Sequence, residues 1–258
     1  MAEISKGFCG LTKKFLIILG FYGTLAYSMS VTSSKAIRGS CRLFLDTADV
    51  EEWNTFLPTG MFYGVTTNPT ILERSGVPCT VSDVRSLAET ALKSCEEFMC
   101  QAWGGSSEKL YETGMALHSG DDRIVIKVPS TYDGVKAATQ LMASGVRVCM
   151  TAGYASHQAM VAASVGAEYY APYLGRMTDA GKDGMQECAT MHESARGLGS
   201  QTRILVASIR DASSMVKLSS QGLDTFTFSP DVARQLLFGE QLTIDAAKDF
   251  EDAAIRNS

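Results

Sequence analysis

The feature that most constrains this chain is a regular alternation that begins at Leu43 and continues almost to the C-terminus. Short apolar runs rich in β-branched and aromatic residues alternate with longer runs whose apolar residues recur at helical spacing. The strand-like runs are Leu43–Asp46, Phe62–Thr67, Phe98–Trp103, Ile124–Pro129, Val146–Thr151, Tyr169–Leu174, Ile204–Ser208 and Thr225–Phe228. Helix-like runs follow at 50–56, 81–96, 107–118, 132–144, 155–165, 184–196, 212–220 and 230–237, and a polar helix over 244–254 closes the chain. Strands separated by helices pair in parallel through right-handed crossovers. Eight such units predict a (β/α)8 TIM barrel, one domain over 41–258, with an added C-terminal helix. Gly60, Gly120, Gly145, Gly166 and Gly222 each fall just before a strand, where helices end on a left-handed residue. An open doubly wound sheet is the competing architecture. Its dinucleotide-binding form is disfavoured, because no G-x-G-x-x-G follows the first strand.

Residues 1–40 read differently. They carry Lys6, Lys13, Lys14, Lys35 and Arg38 against the single acid Glu3, which leaves 18 basic and 27 acidic residues, a net −9, for 41–258. The apolar run Phe15–Tyr27 follows Lys13 and Lys14, and Ser28–Ser40 is Ser/Thr-rich and free of acids. The run is short for a membrane span, which needs about 20 residues, so no stable span is expected. The pattern suits either a targeting segment or a plain N-terminal extension. The expected location is cytoplasmic, or organellar and plastid-like if the segment is a transit peptide. The overall charge of −5 argues against a nucleic-acid surface. The seven cysteines show no C-x-x-C pair, and His118, His157 and His192 are scattered, so neither a metal site nor a disulfide framework is expected.

Chemistry is concentrated where the strands end. Lys127 interrupts the apolar run Ile124–Pro129. An ammonium buried without a partner is costly and is relieved by a lowered pKa, and a neutral lysine is a nucleophile for carbonyls. The structural alternative is a lysine at the strand end reaching solvent. In a parallel barrel the active site lies at the C-terminal ends of the strands. Those positions hold Asp46, Asn68, Gln101, Lys127, Thr151, Tyr173 with Arg176, and Ser208 with Arg210. A lone polar strand end is usually just solvated; seven strands converging on one mouth are not explained that way.

The segments Phe44–Asp49 (FLDTAD), Gly64–Thr70 (GVTTNPT), Val125–Pro129 (VIKVP), Ala171–Arg176 (APYLGR) and Ala207–Arg210 (ASIR) resemble, in order and spacing, the short transaldolase family, which includes the fructose-6-phosphate aldolases. The resemblance begins near Leu43 and leaves residues 1–40 outside. It implies a metal-free, cofactor-free barrel forming a Schiff base with a ketose phosphate. Lys127 matches the Schiff-base lysine and Asp46 the acid/base aspartate. Asn68 matches a residue that orients lysine and substrate, Thr151 one beside a catalytic water, and Arg176, Ser208 and Arg210 the phosphate site. Gln101 and Tyr173 resemble the aldolase branch, whereas transaldolases have glutamate and phenylalanine there; Leu174–Arg176 and Ser208–Arg210 look more like the short transaldolases.

The implied partners are sugar phosphates: fructose 6-phosphate, and erythrose 4-phosphate or glyceraldehyde 3-phosphate. The resemblance also implies a homo-oligomer, a pentamer or a decamer of paired rings. Two rival readings remain. Another lysine aldolase on this barrel, such as deoxyribose-phosphate aldolase, is disfavoured because Val128-Pro129 follows the lysine. An inactive barrel serving as a binding or scaffold protein is not excluded by fold, but it need not keep Asp46, Asn68, Lys127, Arg176 and Ser208 together.

Overall fold

A computed structural model describes residues 40–258. Eight parallel strands close into a barrel in sequence order, with β8 paired back to β1. They are β1 Arg42–Asp46, β2 Gly64–Thr66, β3 Glu97–Gln101, β4 Ile124–Pro129, β5 Val148–Gly153, β6 Tyr169–Pro172, β7 Arg203–Ile209 and β8 Thr225–Phe228. The expected alternation is present, and the five glycines named above have φ between 70° and 94°.

Two helices break the expected pattern. Among the described residues the α-helices are α1 Val50–Phe56, α2 Pro69–Arg74, α3 Val81–Ala91, α4 Ser107–His118, α5 Tyr132–Ala143, α6 Ser156–Val165, α7 Leu174–Asp179, α8 Gly184–Gly197, α9 Ala212–Ser219, α10 Pro230–Phe238 and α11 Gln241–Asn257. The six-residue α2 and α7 lie outside the expected helical runs. Each is too short for a periodic signal. Helix α2 starts because Pro69 presets the first helical φ and the Asn68 side chain accepts from Ile71 N–H. Helix α7 consumes Leu174, expected at the end of the sixth strand, which stops at Pro172 instead. Helix α3 stops at Ala91 rather than Glu96, and β3 starts at Glu97.

The two-residue period of a strand sorts side chains between two cores. Ile124, Ile126 and Val128 of β4 face outward into the layer shared with the helices, as do Leu45, Phe98, Cys100, Val148, Met150, Ile204 and Val206. Val125 points inward and packs with Phe44, Met99, Cys149, Tyr169, Ala171 and Leu205. Advancing each inward position by two residues gives Asp46, Gln101, Lys127, Thr151, Tyr173 and Ala207. The polar mouth is thus the layer directly above an apolar plug, as the barrel geometry requires.

The opposite end of the barrel is closed by charge. Arg147 donates to Glu97 and to Glu168, and Arg42 donates to Tyr169 Oη. Glu97 is 1% exposed, and burial pushes its carboxyl up against the opposing pull of Arg147. Helix α11 buries none of its residues; Leu242, Phe250 and Ile255 are all exposed on it. No helix among the described residues is long and apolar enough to cross a membrane. The targeting reading of residues 1–40 falls almost wholly outside the described residues.

Candidate active site

The mouth holds two adjoining cavities. The first, about 140 Å³, is lined by Asp46, Asn68, Lys127, Tyr173, Arg176 and Ser208 together with Thr70, Ile71, Arg74, Ala207 and Thr227. The second, about 230 Å³, shares Asn68, Thr70, Tyr173 and Arg176 with it and adds Pro69, Gln101, Ala152 and Tyr154. Seven of the nine residues expected from sequence therefore line one or the other.

Lys127 is 2% exposed, held between Gln101 of β3 and Cys149 of β5 in the strand register. Its apolar neighbours below are the plug residues, so its amine can only be used upward, into the cavity. The flanking thiols of Cys100 and Cys149 are pushed up to about 12 by burial, with Lys127 opposing. They remain protonated and are not competing nucleophiles.

Asp46 ends β1 inside the mouth. Burial raises its carboxyl pKa; Lys127, a hydrogen bond from Thr66, Arg176 and Arg74 pull the other way. Thr66 Oγ1 donates to Asp46 Oδ1 at 2.5 Å and lies 2.6 Å from Thr227 Oγ1. A hydroxyl has one proton. With Thr66 donating to the carboxylate, Thr227 must donate to Thr66, which gives a chain of hydroxyls running from β8 through β2 to β1.

Thr151 is fully buried and lines neither cavity directly. It is joined to the site by donating to Tyr173 Oη at 3.3 Å. Tyr173 is fixed by backbone and side chain. Its N–H donates to Gly153 O at 2.9 Å, Tyr154 packs edge-on at 5.7 Å, and the Arg176 guanidinium lies 5.0 Å from its ring centre. A hydrogen bond to Tyr154 holds the Arg176 pKa above its ordinary value.

Ser208 has φ +57°, a left-handed conformation that a non-glycine residue holds only under tertiary constraint. Gly175 of α7 supplies part of that constraint: a Cβ there would stand 2.4 Å from Ser208 O and 2.7 Å from Arg210 Nε. Arg210 itself is turned to the surface, 60% exposed and paired with Asp179, and lines neither cavity. Conversely Arg74, not among the residues expected from sequence, does line the first. The signal available was Asn68-Pro69, which starts a helix and puts position 74 one turn beyond position 70. Among the described residues no group of three or more His, Cys, Asp or Glu is placed to hold a metal.

A family model described as Transaldolase/Fructose-6-phosphate aldolase matches residues 43–257. A curated "Probable transaldolase" of a Chelativorans species is 34% identical over 204 residues, covering 76% of this chain and 88% of its own. The one from Kosmotoga olearia is 32% identical over 196 residues, again 76% and 88%. That of Chlorobium phaeobacteroides is 32% identical over 225 residues, covering 83% of this chain and 97% of its own. Among solved structures, a thiamine phosphate pyrophosphorylase from Pyrococcus furiosus aligns with TM-score 0.54 at 13% identity, covering 74% of this chain and 86% of its own, which speaks to the barrel fold alone. By the match across nearly the whole barrel and the identity to these relatives, the chain belongs to the transaldolase/fructose-6-phosphate aldolase family.

Proposed function

We propose that this protein is a Schiff-base enzyme that detaches a dihydroxyacetone unit from fructose 6-phosphate. One observation carries the reading: Lys127, 2% exposed, opens onto a cavity it shares with Asp46, Asn68 and Arg176. Lys127 Nζ, as the free amine, attacks the C2 carbonyl, and loss of water leaves an iminium. The iminium withdraws electrons from the C3–C4 bond. Asp46, directly or through a water, takes the C4 hydroxyl proton, and the bond breaks. Glyceraldehyde 3-phosphate departs, and the three-carbon fragment stays on Lys127 as an enamine. Asn68, tied to Ile71 N–H through its side-chain oxygen, keeps its amide N–H groups for the substrate hydroxyls. Arg176 and Ser208 take the phosphate; Arg210 joins them only by leaving Asp179.

The enamine has two fates. Addition to a second aldehyde is transfer; protonation and hydrolysis is cleavage. Gln101 cannot ionise, so it orients a water without taking its proton. Thr151 donates to Tyr173 Oη, so the tyrosine's own proton is free for the enamine carbon. This proton supply favours cleavage, and release of free dihydroxyacetone without any acceptor is the expected activity. Assembly belongs to the same reading: the exposed apolar side chains of α11 suit burial against a second copy, and a monomer by light scattering at working concentration would refute that part.

The test is borohydride trapping. Incubation with fructose 6-phosphate and borohydride should add a three-carbon fragment to the tryptic peptide carrying Lys127, and Lys127→Arg should abolish it, because a guanidinium stays protonated. Label on another lysine, or on none, overturns the proposal. In the same incubation without borohydride, efficient transfer to erythrose 4-phosphate with no free dihydroxyacetone would identify a transferase instead.

A further inference from the structure

The first cavity contains a cation that the family-based site leaves out. Arg74 is the last residue of α2, and it lines the cavity together with Thr70 and Ile71. Residues 70, 71 and 74 stand at i, i+1 and i+4, one face of a helix. Helical side chains lean toward the N-terminus of their own helix. Helix α2 begins at the barrel mouth, since Asn68 ends the β2 segment and caps it. Arg74 is exposed at the helix end, and the lean turns its guanidinium toward the mouth, where it lines the cavity.

Its charge is not spent elsewhere. Among the described residues Arg74 is in no ion pair, whereas Arg210, Arg234, Arg203 and Arg147 each have a carboxylate partner. The same charge is felt inside the site, where it pulls against burial at Asp46. A guanidinium with no ion-pair partner, opening on a cavity that Arg176 and Ser208 also line, is suited to an oxyanion shared among them.

We propose that Arg74 binds the substrate phosphate together with Arg176 and sets the preference for phosphorylated over unphosphorylated sugars. This rests on the reading of the site as one for sugar phosphates. Arg74 takes no proton and touches no reacting carbon; it contributes binding and position only.

The experiment compares Arg74→Ala and Arg74→Lys with the parent chain in three measurements. These are steady-state kinetics on fructose 6-phosphate and on fructose, calorimetric titration with inorganic phosphate, and borohydride trapping with unphosphorylated dihydroxyacetone. Loss of one charge-assisted contact predicts that Arg74→Ala raises KM for fructose 6-phosphate and weakens phosphate binding by about tenfold or more. KM for fructose and the labelling of Lys127 by dihydroxyacetone should stay at parent values, while loss of the Arg74 charge near Asp46 shifts kcat alike on both sugars; Arg74→Lys should restore part of the phosphate affinity. Unchanged phosphate affinity in Arg74→Ala, or an equal rise in KM for fructose and fructose 6-phosphate, overturns the assignment. If Lys127 is unlabelled even in the parent chain, the Schiff-base reading fails, and the phosphate titration still decides the role of Arg74.

Discussion

Thr66→Val tests the hydroxyl chain that ends on Asp46. The change keeps the β-branched shape of a fully buried residue and deletes the one proton donated to Asp46 Oδ1 at 2.5 Å. That bond holds the carboxylate pKa down against burial. A hydrogen bond to a charged group is worth ~1.5–3 kcal/mol, and one pKa unit is ~1.36 kcal/mol. In the proposed mechanism the acidic limb of the rate profile reports Asp46. Thr66→Val should therefore move that limb upward by roughly 1–2 pH units. The substitution also strands the Thr227 hydroxyl, 1% exposed, which loses its acceptor at a cost of ~1–3 kcal/mol in folding stability. Adding Thr227→Val removes the stranded group. The double variant should regain much of the stability while keeping the displaced pH profile. The assay is kcat against pH for both variants, with urea midpoints measured alongside. An acidic limb that stays in place refutes the argument. A limb that returns with the second substitution refutes it too, because the shift would then follow packing and not the lost hydrogen bond.

Three further outcomes follow from the same geometry. Because the Asp46 pKa is raised in the folded protein, its ionisation costs stability; the cost is absent at low pH, grows as pH rises through the ordinary carboxylate value, and levels off above the raised folded value. Asp46→Asn should accordingly be more stable than the parent above that window and equal to it below, while losing activity; urea midpoints across a pH series check this, and no pH dependence in the difference would contradict it. Gly175→Ala puts a methyl 2.4 Å from the Ser208 carbonyl oxygen, backbone that cannot rotate away; it should cost ~1–3 kcal/mol in stability and raise KM for sugar phosphates by displacing Ser208, and a neutral result in both would show that α7 and β7 part easily. A chain beginning at Ser40 keeps the bond from Arg203 Nη2 to Ser40 O and the pairing of Arg42 N–H with Asp224 O; it should fold and turn over substrate as the full chain does, whereas lost activity or solubility would give residues 1–39 a structural role.

The sequence alone determined the barrel and the polar layer at its mouth. Eight apolar runs separated by helical ones admit few topologies, and a period of two residues fixes which side chains share a face. Lys127 stands two positions above Val125 and therefore shares its inward face; Asp46 above Phe44, Gln101 above Met99 and Thr151 above Cys149 follow the same rule. These are local facts, readable without coordinates. What the tertiary structure alone decided depends on ring closure or on helices too short to have a period. The Thr227–Thr66 contact joins residues 161 apart and exists only because β8 returns to pair with β1. Helix α2, six residues long, brings Arg74 into the cavity, while the exposed acid Asp179 at the end of α7 holds Arg210 out of it. Both arginines follow recognisable motifs in sequence. Which one lines the cavity is settled by the direction in which a short helix leaves its strand and by where the nearest carboxylate falls, and neither is encoded in local spacing.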